Sequence, residues 1–224
     1  VRRDAMTKFA QAGHREVQQV LPVALAAFKD SDPEVRYYAV VALMVAASTD
    51  VKNATRLGQA APALIQRLGD SDSLVRQEAA NALALILPAP PRAAASPLLG
   101  LLRDPDRAVQ SAALGALARL GPVTPKVSQG VRELLDAEDA SLRAEAANVL
   151  GELGGSDPDN VWALINALND PDAFVRQHGA RALGKLGKSA SVAIPHLQEL
   201  VEKAGEDPIV RDYARHALHS IQDQ

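Results

Sequence analysis

The chain has 224 residues, of which 47% are apolar but only 3% aromatic, a formal net charge of -3 and no cysteine. A core must therefore come from Ala, Leu, Val and Ile, and the absence of cysteine excludes disulfides, thiol catalysis and thiolate metal sites. The small negative charge gives no general attraction for nucleic acid or anionic membranes. No run of about 18 apolar residues occurs, so the sequence predicts no membrane span and favours a soluble, cytoplasmic protein.

A seven-residue stretch recurs along the chain and sets its internal period. It reads D-S-D-P-E-V-R at 30–36 and returns as D-S-D-S-L-V-R at 70–76, D-P-D-R-A-V-Q at 104–110, A-E-D-A-S-L-R at 137–143, D-P-D-A-F-V-R at 170–176 and G-E-D-P-I-V-R at 205–211. The sixth residue of each stretch is position 0 of that copy: Val35, Val75, Val109, Leu142, Val175 and Val210. These positions lie 40, 34, 33, 33 and 35 residues apart. Such a period predicts a stack of repeats, each packed on its neighbours.

Each repeat is predicted to contain two helices. From position 0, apolar or small residues recur at +4, +7, +8 and +11, which is the spacing of an amphipathic helix with one buried face. The residue at −3 is Asp in all six copies and predicts an N-cap for this second helix. Apolar stretches with helical spacing predict the first helices at 21–29, 61–68, 96–103, 127–135, 160–168 and 193–201.

These helices predict an all-α fold over 1–224, a single right-handed α-α superhelix of about six helical pairs plus an N-terminal half repeat. The opening V-R-R-D-A fits the second half of a repeat, so residues 1–13 are predicted to be that half repeat, with an open end covered by a further contact. Full repeats are predicted at about 15–48, 57–87, 92–121, 125–154, 158–187 and 190–222. Irregular joints are predicted at 49–56, where the spacing rises to 40, and at 88–91, where the sequence is P-A-P-P.

The pattern D-x-D-x-x-V-R-x-x-A-x-x-A-L-x-x-L-G resembles the HEAT repeat, and more narrowly the short bacterial type found in phycobilisome lyase subunits. The resemblance covers essentially the whole chain, with departures at Gln110, Leu142 and Gly179. In that family the second helices line the concave face, and positions −2, −1, +2, +3, +6 and +10 vary and meet partners. The resemblance therefore implies the following partner-binding residues: Glu34, Tyr37, Tyr38, Gln77, Glu78, Asn81, Arg107, Arg119, Glu145, Asn148, Phe174, Gln177, His178, Arg181, Lys185, Tyr213 and His216.

Aromatic residues support this surface as a binding groove. All three tyrosines of the chain, Tyr37, Tyr38 and Tyr213, fall on it, and Tyr and Arg are enriched among binding hot spots. Positions +2 and +3 lie off the apolar stripe, so Tyr37 and Tyr38 are predicted to be partly exposed. Trp162 lies on a first helix and is predicted to pack over a joint rather than to mark an outer contact.

The recurring Arg has two interpretations. It could form an anion-binding row, or a structural ladder in which each Arg bridges to an Asp or a helix-end carbonyl of a neighbouring copy. The ladder is favoured because the Arg recurs together with the Asp and the apolar stripe. Its predicted members are Asp32, Arg36, Asp72, Arg76, Asp139, Arg143, Asp172, Arg176, Asp207 and Arg211.

The sequence favours a non-catalytic protein-interaction scaffold that binds another protein, with no cofactor. It contains no H-E-x-x-H, nucleophile elbow or P-loop, and His216 and His219 have no third ligand at metal-site spacing. The alternative, implied by the resemblance alone, is a tetrapyrrole- or bilin-handling subunit of lyase or chaperone type. Nucleic-acid binding is disfavoured, because the groove positions carry four basic residues, Arg107, Arg119, Arg181 and Lys185, against five acidic ones, Glu34, Glu78, Glu145, Glu152 and Asp212.

Overall fold

A computed structural model of the chain describes residues 2–11, 17–49, 51–86, 88–121, 125–154 and 157–223. Every regular element in these ranges is helical, which confirms the predicted all-α class. The chain divides into two compact units, Val1–Leu120 (unit 1) and Gly121–Gln224 (unit 2). The predicted repeat boundaries at residues 1, 13, 15 and 87 lie outside the described residues.

Unit 1 is a two-layer stack of helices. Its α-helices within the described residues are α1 (Arg2–Gln11), α2 (Val17–Ala27), α3 (Pro33–Ala47), α4 (Val51–Arg56), α5 (Ala61–Arg67), α6 (Ser73–Ala84), α7 (Ala95–Leu101) and α8 (Arg107–Leu120). Short 3-10 helices precede α5 at Leu57–Ala60 and α7 at Arg92–Ala94. The second helices α1, α3, α6 and α8 pack side by side in one layer, and the first helices α2, α5 and α7 each pack on the second helix of their own copy.

Unit 2 repeats the same arrangement. Its helices within the described residues are α9 (Pro125–Glu133), α10 (Ala140–Leu153), α11 (Pro158–Ala167), α12 (Ala173–Leu186), α13 (Ile194–Glu202) and α14 (Pro208–Gln222), with 3-10 helices at Leu134–Asp136 and Gly187–Ala193. The second helices α10, α12 and α14 form one layer, and α9, α11 and α13 cover them on the other side. No helix in the described ranges combines the length and the apolarity needed to cross a membrane.

The buried face of the second helices is wider than the sequence predicts. Positions 0 and +7 are buried in all six copies, as expected, and so in five copies is position +5, which holds Val40, Ala80, Leu114, Ala147 and Ala180. A second helix contacts a first helix and also the second helices beside it, so a single stripe does not cover all its contacts. In α14, which no second helix follows in this chain, position +5 is the exposed Arg215.

The Asp at −3 starts each second helix, as predicted. Its side chain accepts a backbone N–H of the first turn in all six copies, at distances from 2.7 Å for Asp207 to 3.2 Å for Asp72. This contact satisfies an amide that has no partner within the helix, and the negative charge suits the positive end of the helix dipole. The cap therefore fixes where each second helix begins.

The joint at 49–56 differs from the irregular segment predicted there. Residues Val51–Arg56 form α4, and Asn53 is only 3% exposed. Its side-chain nitrogen donates to Thr49 Oγ1 at 2.8 Å, so this polar group is held inside the joint. The longer spacing is accommodated by added helix rather than by loss of helix. Residues 88–91, with three prolines, contain no helix.

Candidate partner-binding surface

The recurring Arg is bonded within the scaffold. The Arg36 guanidinium donates to both carboxylate oxygens of Asp70, with Nε–Oδ2 at 2.9 Å and Nη2–Oδ1 at 2.6 Å. It also donates to the backbone carbonyls of Asp30 at 2.9 Å and Ser31 at 3.2 Å. The side chains of Arg36 and Asp70 are 9% and 2% exposed. This Arg therefore ties the loop of its own copy to the first carboxylate of the next copy.

The same junction recurs along both units. Arg76 donates to Asp104 at 2.7 and 2.9 Å, Arg143 to Asp170 at 2.7 and 2.9 Å, and Arg176 to Glu206 at 3.1 and 2.5 Å. Arg211 in the last copy has no carboxylate of a following copy and donates to the carbonyl of Lys203 at 3.1 Å. The guanidiniums of Arg36, Arg76, Arg143 and Arg176 are thus occupied by intramolecular carboxylates and do not form a row for an external anion.

The accepting carboxylates have lowered pKa values. Burial alone would raise the pKa of Asp70, Asp104, Asp170 and Glu206. Hydrogen bonds from the Arg of the preceding copy and from a backbone N–H, together with nearby positive charge, outweigh burial and hold each pKa below its ordinary value. The ladder is therefore a set of ionised pairs at neutral pH.

The sequence does not single out these acceptors, because the Asp at −3 is the more regular residue. The acceptors lie at −5, or at −4 for Glu206, whereas the Asp at −3 is used as a cap. One signal was present in the sequence: Gln110 replaces the Arg in one copy, and Ala137 replaces the Asp at −5 in the next. The donor and the acceptor are lost together, as expected for two groups that serve each other.

The predicted partner-binding residues lie outside the core. We use the term second-helix face for positions −2, −1, +2, +3, +6 and +10 of the second helices of a unit. Each of the 17 residues predicted to bind a partner is half-buried or exposed. This placement leaves them accessible, and it does not identify what they bind.

Aromatic and acidic groups meet on the second-helix face of unit 1. The rings of Tyr37 and Tyr38 pack edge to face with centroids 5.1 Å apart, and both side chains are half-buried. Burial, with the negative charge of Glu78 and the neighbouring Tyr38, raises the pKa of the Tyr37 hydroxyl. Glu78 accepts from Asn81 Nδ2 at 3.3 Å, and Glu34 pairs with Arg3 at 2.8 Å.

The other described residues of the second-helix face in unit 1 include polar side chains and one exposed leucine. Arg107 Nη1 donates to Ser111 Oγ at 2.9 Å, Gln77 is half-buried and Arg119 is exposed. Leu74, at position −1 of α6, is 54% exposed. Cations thus lie on α8, whereas the aromatic rings and the carboxylates lie on α3 and α6.

Unit 2 exposes apolar side chains where its second helices begin. At position −1, Phe174 is 48% exposed and Ile209 is 57% exposed. The Phe174 ring packs edge to face on His178, with centroids 4.4 Å apart. Burial and the positive charges of Arg181 and Lys185 lower the pKa of His178, against an opposing effect of Glu145. Beside them, Gln177 and Asn148 are half-buried.

Four predicted residues of unit 2 converge on one cleft. Arg181 and Lys185 of α12 and Tyr213 and His216 of α14 line a cleft of about 260 Å³. Lys185 also donates to Glu152 and, at 3.3 Å, to Asn148 Oδ1. The positions +3, +6 and +10 of neighbouring helices therefore combine into a single concave site with two cations and two further polar groups.

The first-helix layer carries features that sequence reasoning missed. A cleft of about 490 Å³ lies between α2 and α5, lined in part by Leu25, Phe28 and Arg67. In unit 2 the Arg132 guanidinium donates to Asp157 at 2.7 Å and to the buried Asn160 at 2.6 Å. No motif marks either feature, because the participating residues come from different copies.

Trp162 is more open than predicted. It is 49% exposed on the first-helix layer, and its ring meets His196 of α13 edge to face at 6.3 Å. The described residues contain no group of three or more His, Cys, Asp or Glu side chains arranged to hold a metal ion.

Comparison with solved structures shows the same fold in other helical repeat proteins. An engineered protein is 25% identical, with a TM-score of 0.65, 89% of this chain covered and 95% of that chain. A designed armadillo repeat protein in complex with the peptide (KR)4 is 20% identical, with a TM-score of 0.72 and coverages of 90% and 99%. An archaeal HEAT-like repeats protein from Thermococcus onnurineus NA1 is 17% identical, with a TM-score of 0.71 and coverages of 97% and 92%.

No curated protein sequence matches the chain. The narrower resemblance to the short bacterial repeats of phycobilisome lyase subunits gains no support and stays a prediction. The family model for HEAT repeats matches residues 61–149 and again 128–219, which together are more than half of the 224 residues. With its paired helices, capped second helices and interlocking layers, the chain belongs to the HEAT-repeat family.

Proposed function

We propose that the chain is a non-catalytic interaction scaffold whose second-helix face holds a protein partner. The observation that carries this proposal is the exposure of large apolar side chains at one register position. Leu74, Phe174 and Ile209, all at −1, are 54%, 48% and 57% exposed. Burial of such side chains at an interface is favourable, and the scaffold itself does not bury them.

The composition of the face supports recognition of a protein. Tyr37, Tyr38 and Tyr213 are half-buried there, so each presents a rigid ring edge beside polar groups. Aromatic and Arg side chains are the residues that most often dominate binding energy at protein interfaces. Arg36, Arg76, Arg143 and Arg176 are already bonded to carboxylates, so recognition is left to positions that differ from copy to copy.

A solved relative in fold shows that such a helical stack can hold a peptide. The designed armadillo repeat protein, with a TM-score of 0.72, is in complex with the peptide (KR)4. For this chain, that complex supports peptide or protein binding as the kind of function. The basic sequence of that peptide is a property of that complex and is not proposed for the partner of this chain.

The test compares two half-exposed aromatic residues of unit 2 on opposite layers. Phe174→Ala removes a ring from the second-helix face, and Trp162→Ala removes one of nearly equal exposure, 49% against 48%, from the first-helix layer. Affinity capture followed by mass spectrometry is expected to lose the specific partner with Phe174→Ala and to retain it with Trp162→Ala. Truncation of an anchor residue of this kind weakens binding by more than about 1 kcal/mol.

A second arm of the experiment tests unit 1. Tyr37→Ala with Tyr38→Ala is expected to reduce capture, and the melting temperature of each variant is measured in parallel because both rings are half-buried. Equal loss of partner with the Trp162 variant, or unchanged capture with all variants of the second-helix face, would contradict the proposal.

A further inference from the structure

We infer that the cleft between α12 and α14 accepts an acidic side chain, so that the segment of the partner bound at unit 2 is an acidic peptide with an apolar anchor. This inference rests on the proposed function and specifies the chemistry of the partner. The cleft has a volume of about 260 Å³ and is lined by Arg181, Lys185, Tyr213 and His216.

The floor of the cleft is built from small residues. Gly184, Ala217 and Ser220 line it together with the polar groups. A Cβ added at residue 184 would lie 3.0 Å from the Cα of Ala217, so α12 and α14 approach closely there. Among the described residues no large side chain fills the space above this contact, and the volume suits one side chain of a partner.

The residues that line the cleft include two cations and no carboxylate. Glu152 is paired with Lys185, and Asp212 is paired with Arg215 at 2.7 Å. Arg181 is exposed and lines the cleft directly. His178, on the same helix, has a pKa that is lowered first by burial and also by the positive charges of Arg181 and Lys185, against an opposing effect of Glu145. A carboxylate would complement this charge and could accept hydrogen bonds from the Arg181 guanidinium and the Tyr213 hydroxyl.

The apolar anchor follows from the helix register. Phe174 and Ile209 are exposed at the start of α12 and α14, and Arg181 lies seven positions after Phe174 on the same helix. Seven helical residues span about 10 Å, which an extended peptide covers in about three residues. The bound segment therefore places an apolar side chain near Phe174 and Ile209 and a carboxylate about three residues away.

The binding experiment uses a fluorescein-labelled peptide rich in Glu and Leu, with Gln in place of Glu as its neutral control. Fluorescence anisotropy on the full chain is expected to show binding of the acidic peptide that weakens as salt is added, and weak or no binding of the neutral one. Arg181→Gln is expected to lower the affinity about fivefold and Arg181→Glu about tenfold. Lys126→Gln and Lys126→Glu, which make the same charge changes at an exposed residue of α9, are expected to leave it unchanged.

Three results would overturn the inference. One is equal affinity for the acidic and the neutral peptide, and another is an equal effect of the Arg181 and Lys126 variants. The third is tighter, Arg181-dependent binding of a single-stranded oligonucleotide, which would assign the cleft to phosphate. Melting curves of Arg181→Gln separate loss of binding from loss of folding, and the exposed side chain predicts little change.

This outcome is distinguishable from failure of the proposed function. If the Phe174 variant loses the captured partner but the acidic peptide does not bind, the interaction scaffold stands and the acidic specificity falls. If the peptide binds in an Arg181-dependent manner but the variants of the second-helix face still capture the partner, the cleft is an anion site and the scaffold proposal falls.

Discussion

At the scale of single residues, the fold is held in register by buried ion pairs between copies. Each pair joins the Arg at +1 of one copy to a carboxylate at the start of the next, as in Arg76 with Asp104. Two charges removed from water are favourable only when their hydrogen-bonding groups are satisfied. Here the guanidinium also meets two loop carbonyls, and Asp104 also accepts the backbone N–H of Asp106 at 2.9 Å. The pair therefore fixes the position of one repeat on the next.

Removal of one partner should be costly. Arg76→Gln is expected to lower the free energy of unfolding by about 3 kcal/mol, because Asp104 is left buried without its charge partner. Urea denaturation followed by circular dichroism measures this loss. Arg211→Gln, at the same register position but without a carboxylate from a following copy, is the matched control and should cost less than about 1 kcal/mol. The double variant Arg76→Gln with Asp104→Asn should recover part of the loss, and equal losses for the Arg76 and Arg211 variants would contradict the role of the pair.

The ladder also predicts acid sensitivity. The pKa of Asp104 is below its ordinary value of 3.8 in the folded chain, so the unfolded chain binds protons more readily. The stabilisation is complete above about pH 4 and is lost as the pH falls through the folded pKa. Urea midpoints should therefore fall as the pH is lowered below about 4. The decrease should be smaller in the Arg76→Gln, Asp104→Asn double variant, and an unchanged slope would show that this pair does not contribute.

At the scale of helices, small residues set how closely the second helices pack. In unit 2, position +9 is glycine in α10 and α12, and a Cβ at Gly151 would lie 2.9 Å from the Cα of Ala182 on the next second helix. The corresponding residues of unit 1 are Met44, Ala84 and Ala118. Consistent with the larger side chain of Met44, α3 packs less extensively on α6 than α6 does on α8. Close packing of α12 on α14 brings their variable positions together around a common cleft.

A pair of glycine substitutions tests this packing. Gly151→Ala should lower the free energy of unfolding by about 1–3 kcal/mol, because the added methyl group meets backbone atoms that cannot move away easily. Gly115→Ala in α8 is the matched control, since nothing lies within 4 Å of its added Cβ. Alanine is the better helix former, so that variant should gain about 0.5–1 kcal/mol. Thermal melts of both variants measure the difference, and a stabilised Gly151→Ala protein would show that the contact is not tight.

At the scale of the whole molecule, the chain consists of two helical units with the same internal plan and different surfaces. Unit 1 presents Tyr37 and Tyr38 beside Glu78, whereas unit 2 presents Phe174 beside a cleft with Arg181 and Lys185. Repeats share the residues that make the scaffold and differ at the residues that face outward. One family of scaffold residues can therefore support two chemically different binding surfaces in a single chain.

A feature could be predicted from the sequence when the residues that form it lie close together in the chain. The caps could be predicted, because Asp32 and its equivalents contact N–H groups only two or three residues away. The resemblance to the HEAT repeat placed Phe174 among the residues that meet a partner, and its side chain is 48% exposed. The helical joint α4 could not be predicted, because the shift in spacing shows an insertion but not its conformation. The partner of Arg36 could not be assigned either, since Asp70 lies 34 residues away and competes with several other carboxylates of the same motif.

The sequence by itself determined the repeat period, the two helices of each copy, the cap that begins the second helix and the positions that face outward. Those features depend on spacing and on contacts within a few residues, so one copy of the motif contains most of the information. Only the tertiary structure decided that the carboxylate at −5 pairs with Arg, that position +5 is buried and that Arg181, Lys185, Tyr213 and His216 share a cleft. Each of these depends on how closely one copy packs on the next. That distance is set by side-chain volumes on both helices, such as Gly184 against Ala217, rather than by the spacing within either.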